Sequence, residues 1–194
     1  MVLGMFCTNT YMLTINDDVI LIDPASKADK LFPLLEGKNL LAVLLTHGHF
    51  DHIKACDDLY KRYHMPIYVH EADEDLIHDK SQRVLFGLPY SPVVNSPVEH
   101  LKEGVMEIGP FKFEVLFTPG HSKGSVCYVF DEFLFSGDTL FKMSVGRTDL
   151  SGGSETELKA SLRILKTLKP TLRVCPGHDD VTILEDEVKN NPYM

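Results

Sequence analysis

Positive charge is in short supply in this chain. Its 194 residues carry 19 lysines and arginines against 28 aspartates and glutamates, a net charge of −9 with histidine neutral. A nucleic-acid surface needs a basic stripe, so nucleic acid is not expected as a partner. Long apolar runs are also missing. No stretch approaches the ~18 residues that a membrane span needs, and no charged segment followed by an apolar one opens the chain. Cysteine is sparse, and Cys7, Cys56, Cys127 and Cys175 show no Cys-x-x-Cys spacing. Cys127 and Cys175 fall in apolar strands and read as small hydrophobes. These absences together fit a cytoplasmic protein with reduced thiols, no membrane contact and a small molecule as substrate. They leave the oligomeric state open.

With 44% hydrophobic residues the chain can bury a full core, and residues 1–194 read as a single domain. Tyr11 to Ile15 and Val19 to Ile22 read as strands around the turn residues Asn16-Asp17-Asp18. A helix is expected from Lys27 to Leu35, a buried strand from Leu40 to Leu45, a helix from Ile53 to Tyr63, a strand from Ile67 to Val69 and a short helix near Ala72 to Ile77. The apolar, proline-bearing stretch Leu85 to Pro92 reads as a loop that packs on its own domain or lines a pocket. Two hairpins follow, Val105–Ile108 with Phe111–Phe117 and Ser125–Phe130 with Phe133–Ser136. Then come a helix from Glu155 to Leu168 with Ser154 as N-cap, a strand Arg173–Cys175 and a helix Ile183–Asn190. Both halves run strands, helix, strand, so two sheets face to face with helices outside accommodate the order.

The chemistry concentrates at Thr46-His47-Gly48-His49-Phe50-Asp51-His52, between the expected strand and helix. Strand-end turns are where α/β folds build sites. In an extended turn the side chains at i and i+2 point the same way, so His47 and His49 suit one ion. Asp51 and His52 lie where the chain turns into the helix and suit a second. Asp23, at the end of an earlier strand, reads equally as a carboxylate supporting this cluster or as a turn residue. Three further strand ends carry glycine beside a histidine or aspartate: Thr118-Pro119-Gly120-His121-Ser122, Ser136-Gly137-Asp138-Thr139-Leu140-Phe141 and Cys175-Pro176-Gly177-His178-Asp179-Asp180.

The motif order resembles the metallo-β-lactamase-fold hydrolases. Ser136-Gly137-Asp138-Thr139-Leu140-Phe141 and Gly146-Arg147-Thr148-Asp149-Leu150 resemble their glyoxalase II, or hydroxyacylglutathione hydrolase, branch. The resemblance implies an α/β (α+β) fold, a four-layer αββα sandwich. It implies two divalent ions per chain, Zn2+ foremost, with Fe or Mn also compatible. His47, His49 and His121 would hold one, Asp51, His52 and His178 the other, and Asp138 would bridge them. The expected function is hydrolysis of thioesters such as S-2-hydroxyacylglutathione by attack of a metal-bound hydroxide on the carbonyl. Asp51 and Asp138 would be catalytic, and Arg147 would bind a substrate carboxylate or tie down its own loop through Asp149.

Two departures are visible. The branch carries a further C-terminal helical region where this chain stops at Met194, so a short form is expected. It also often has Lys-x-Tyr where Arg147-Thr148-Asp149 stands. Within the fold, a mononuclear iron persulfide dioxygenase and a lactonase are the competing readings. The commonest β-lactamases of the fold place cysteine where Asp138 stands. A purely structural metal is disfavoured, because such sites close with four ligands and seven candidates are present.

Overall fold

The computed structural model describes residues 1–82, 87 and 92–194. Among the described residues two large sheets form in succession along the chain, beside two small two-stranded ones. The first contains β1 (Tyr11–Ile15), β2 (Asp18–Ile22), β3 (Asn39–Leu44), β4 (Ile67–Val69) and β5 (Glu99–His100), hydrogen-bonded in that order. The second contains β6 (Gly104–Ile108), β7 (Phe111–Phe117), β8 (Val126–Phe130), β9 (Phe133–Gly137), β10 (Arg173–Pro176) and β11 (Thr182–Ile183), again in chain order. β2 to β5 run parallel, as do β9 and β10; the other neighbours are antiparallel hairpins.

Among the described residues four α-helices cover the outer faces: α1 (Cys56–Tyr63), α2 (Glu74–His78), α3 (Glu155–Leu165) and α4 (Leu184–Asn190). Strand side chains alternate between faces, and that alternation sorts the core into three layers. Ile20, Ile22, Ala42 and Leu44 of the first sheet meet Phe113, Val115, Tyr128 and Phe135 of the second. Their neighbours Val19, Leu21 and Val43 point outward and pack with Leu59 of α1. Cys127, Leu134 and Val174 point out of the second sheet onto Leu158, Leu162 and Leu165 of α3 and Leu184 of α4. The result is the expected four-layer αββα sandwich, with Cys127 and Cys175 buried as small hydrophobes. Among the described residues no helix is long and apolar enough to cross a membrane.

The departures from the sequence reading have local causes. Instead of one helix over Lys27–Leu35 there are two 3-10 turns, Ala28–Lys30 and Phe32–Leu34, because Pro33 donates no backbone hydrogen bond. α1 begins at Cys56 rather than Ile53. The preceding residues are held in turns, with His52 N donating to His49 O and Ala55 N reaching across to Pro24 O. α3 stops at Leu165, and Thr167 and Leu168 donate three residues back to Ile164 and Leu165 in a tightened last turn. Ser154 caps that helix, its Oγ accepting from Glu157 N. Most of the expected apolar loop within 85–92 lies outside the described residues.

Candidate metal centre

β3, β7, β9 and β10 all deliver their carboxyl ends to one edge of the sandwich. The loops that follow them carry the seven histidines and aspartates singled out above. His47, His49 and His121 offer nitrogens that lie within 4.8 Å of one another, and so do the ligand atoms of Asp51, His52 and His178. Asp138 lies between the two groups. Its Oδ2 is 3.4 Å from His121 Nε2 and 3.4 Å from His178 Nε2, and its Oδ1 is 3.5 Å from His52 Nε2.

The outer nitrogens of four histidines are engaged, and this fixes what the inner ones present. His52 Nδ1 donates to Asp23 Oδ2 at 2.9 Å, His121 Nδ1 to the Arg147 carbonyl at 2.8 Å and His178 Nδ1 to the Phe6 carbonyl at 3.1 Å. Thr46 Oγ1 donates to Asp23 Oδ2, so its oxygen accepts from His47 Nδ1 at 3.0 Å. A histidine that donates from Nδ1 leaves Nε2 facing the centre, with a lone pair there whenever the ring is neutral. Among the described residues three buried atoms, His47 Nε2, His52 Nε2 and Asp138 Oδ1, have no hydrogen-bond partner. Buried polar atoms without partners are costly, and donors of this kind around one point fit a cation. A side chain at Gly177 would collide with Asp138 Oδ1, so glycine is required where the loop after β10 passes the centre.

Charge is unevenly distributed. Burial and the surrounding imidazoles push His47 well below the ordinary histidine range and His49 down to about 3. Burial also acts to lower His52 and His178, but the nearby carboxylates outweigh it. Asp51, Asp138 and Asp23 lift His52 to about 9, and Asp138 and Asp51 lift His178 to about 11. Despite its burial, Asp138 is pulled down to about 2 by His52, His178 and His121. Asp51 is lowered likewise by His52 and His178, and by the Thr8 hydroxyl that donates to it at 2.8 Å.

Five of the seven, His49, Asp51, His121, Asp138 and His178, line a cavity of about 700 Å³, and His47 and His52 lie behind them. Phe6, Phe50, Leu76, Phe141 and Leu150 supply apolar wall. Arg147 also lines it, with its guanidinium held in a fork on Asp149 at 2.6 and 2.7 Å. Asp23 is a supporting carboxylate. It accepts from Thr46 N, Thr46 Oγ1 and His52 Nδ1, which occupies both its oxygens. Sequence reasoning missed three further supports. Asn9 Nδ2 donates to the carbonyls of Pro176 and Asp179 and anchors the loop of His178. Gln82 accepts from Phe50 N and donates to Gly48 O, bracing the histidine-rich turn. Asp73 accepts from Gly48 N, Ser122 Oγ and Gly124 N. Each is far in sequence from what it holds. No local sequence pattern ties any of the three to what it holds.

Residues 4–178 match the profile of the Metallo-beta-lactamase superfamily. The chain belongs to that superfamily. Among its relatives is the probable metallo-hydrolase YqgX of Bacillus subtilis, 38% identical over 100% of this chain and 95% of that one. Hydroxyacylglutathione hydrolase GloC of Haemophilus influenzae is 33% identical over 90% of this chain and 86% of its own. Two solved structures superpose closely. TTHA1623 in a di-iron-bound form has a TM-score of 0.92 and 39% identity, covering 100% of this chain and 98% of that one. BLEG-1 B3 metallo-beta-lactamase has a TM-score of 0.90 and 39% identity, covering 99% and 96%. The superfamily and the two His/Asp clusters, suited to a dinuclear site, make this a metal-dependent hydrolase.

Proposed function

We propose that the chain is a dinuclear hydrolase of thioesters, in the manner of the hydroxyacylglutathione hydrolase it resembles. His47, His49 and His121 would hold one ion, Asp51, His52 and His178 the other, and Asp138 would serve both. The observation that carries this reading is the set of outer-nitrogen hydrogen bonds, which turn the inner nitrogens toward one centre. Seven N and O donors without a thiolate suit Zn2+, Fe or Mn. Bound there, two such ions supply Lewis acidity, bringing the pKa of a water toward neutrality and polarising a carbonyl.

The chain's own groups do the rest. Asp51 and Asp138, on the cavity lining, would accept hydrogen bonds from an attacking water and orient it. The phenylalanine walls exclude bulk water and receive the apolar part of an acyl or thiol group. Every described histidine lining the cavity, His49, His121 and His178, belongs to the seven, so none is free to protonate a leaving group. A thiolate leaves without that help, since thiol pKa values lie near 8.5. An amine does not, and this favours thioesters over amides.

The test is a steady-state panel on metallated enzyme: S-lactoylglutathione, a second small acyl thioester, a lactone and a β-lactam. Thioester turnover that tracks two ions per chain is expected. No thioesterase activity at full loading would overturn the reading. Oxygen uptake on a persulfide with one iron per chain would replace it with the dioxygenase.

A further inference from the structure

We infer that Asp73 is a positioning residue: it straps the loop of His47 and His49 to the loop of His121 and so sets the ion affinity of that group. The inference rests on the metal-centre reading above. Asp73 ends a 3-10 turn, Glu71–Asp73, that follows β4, and its own N–H donates to His70 O. It is 1% exposed. Among the described residues its carboxylate makes no ion pair within 4.0 Å. A buried carboxylate persists only where its oxygens are hydrogen-bonded, and here three donors converge. Oδ2 accepts from Gly48 N at 2.8 Å and from Ser122 Oγ at 2.6 Å. Oδ1 accepts from Gly124 N at 2.6 Å.

The identity of those donors gives the strap its meaning. Gly48 sits between His47 and His49, on the loop after β3 of the first sheet. Ser122 follows His121, on the loop after β7 of the second. The two loops must bring His49 Nδ1 within 2.8 Å of His121 Nε2. Asp73 reaches both from a third loop, beside β3 in the first sheet. The fit is tight, because a Cβ at Gly124 would lie 2.7 Å from Asp73 Cβ. Neither oxygen is replaceable by a donor. Asparagine has one acceptor oxygen and an NH2 group, so either way round one loop would meet N–H against N–H.

Asp73→Asn and Gly124→Ala break the strap from its two ends, the second leaving the carboxylate intact. Co(II) titration of the full chain, followed by visible absorption, resolves the two binding steps, with His47→Ala and His178→Ala assigning them. Each strap variant should weaken the His47–His49–His121 step by about 10–100-fold and leave the Asp51–His52–His178 step in place. Amide exchange at Gly48 and Gly124 in the ion-free chain should speed up in Asp73→Asn. Ser122→Ala removes one bond of three and should give a smaller effect of the same kind. Variants that titrate like the wild type, or that weaken both steps equally, would overturn the inference. Should Asp73→Asn fail to fold, Gly124→Ala decides it. Should the wild type take up no cobalt, the dinuclear reading fails, and unchanged exchange at the two glycines would still remove the strap.

Discussion

His47 and His178 face the same centre and carry opposite shifts. His47 is buried among other imidazoles, and its pKa falls far below the ordinary range. His178 lies between the carboxylates of Asp51 and Asp138, and its pKa rises to about 11. His49 and His52 repeat the contrast, at about 3 and about 9. The His47–His49–His121 half thus contains two imidazoles already in the neutral form that binds a metal. In the other half, His52 and His178 hold protons at neutral pH in the ion-free chain. An ion entering there displaces protons, and an ion entering beside His47 and His49 takes none from those two. Donors of the same elements therefore make two sites with different proton linkage, and the difference lies in where the acids sit.

Asp138 is the residue that both halves contact, so its loss should have the largest effect. Asp138→Ala is expected to lower kcat/KM by about 10³-fold, equivalent to about 4 kcal/mol of transition-state stabilisation. Ion stoichiometry should drop below two per chain. The fold should survive, because Asp138 lies outside the three apolar layers. Elemental analysis and circular dichroism beside the kinetics check all three. Wild-type turnover would mean that the two halves act independently.

Acid should separate the halves without a mutation. Below about pH 9 both His52 and His178 are protonated in the ion-free chain. Their protons compete with an ion, and affinity at Asp51–His52–His178 should fall by about 100-fold per pH unit, tenfold for each proton. His47 and His49 stay neutral over that range and add no such dependence. On lowering pH, the Asp51–His52–His178 ion should leave first. Equilibrium dialysis at a series of pH values measures the order. Loss of both ions along one curve would show that the contrast vanishes once one ion is bound.

Asp23→Asn sharpens the comparison at smaller scale. It weakens the partner that His52 Nδ1 donates to, while His47 is reached only through the Thr46 hydroxyl. Affinity at the His52 half should fall by about 10–100-fold, and by less at the His47 half. Site-resolved metal titration is the measurement, and equal losses would place Asp23 behind both halves alike.

The contrast between halves was not legible in the sequence, although the convergence of the seven side chains was. Each follows a strand within a few residues, so local pattern was enough to place it at one edge. The proton linkage depends on which carboxylate faces which imidazole, and that is set by register between two sheets. The supports show the same divide. Ser154 could be recognised as a cap because its partner is three residues away. Asp73 holds residues 25, 49 and 51 positions distant, and Asn9 reaches 167 and 170 positions along the chain. Among the elements, the strands were readable from alternation. The helix expected over Lys27–Leu35 failed at Pro33, where apolar spacing outweighed the proline in the reading.

The smallest expected effect lies at the rim of the cavity, at Arg147. Its guanidinium is half exposed and forked on Asp149, whose side chain is 66% exposed. Exposed pairs of this kind are weak, so a substrate carboxylate can take the guanidinium from Asp149 at little cost. Asp149→Ala should then lower KM for a carboxylate-bearing thioester by about two- to fivefold, and Arg147→Ala should raise it with kcat nearly unchanged. A neutral acyl thioester should be indifferent to both. The carbonyl of Arg147, by contrast, holds His121 Nδ1, and that hydrogen bond belongs to the His47 half of the centre. If Arg147→Ala lowers kcat on neutral and charged thioesters alike, the side chain acts by fixing its own carbonyl and through it His121. In that case the clamp is wrong, and the rim is part of the metal support.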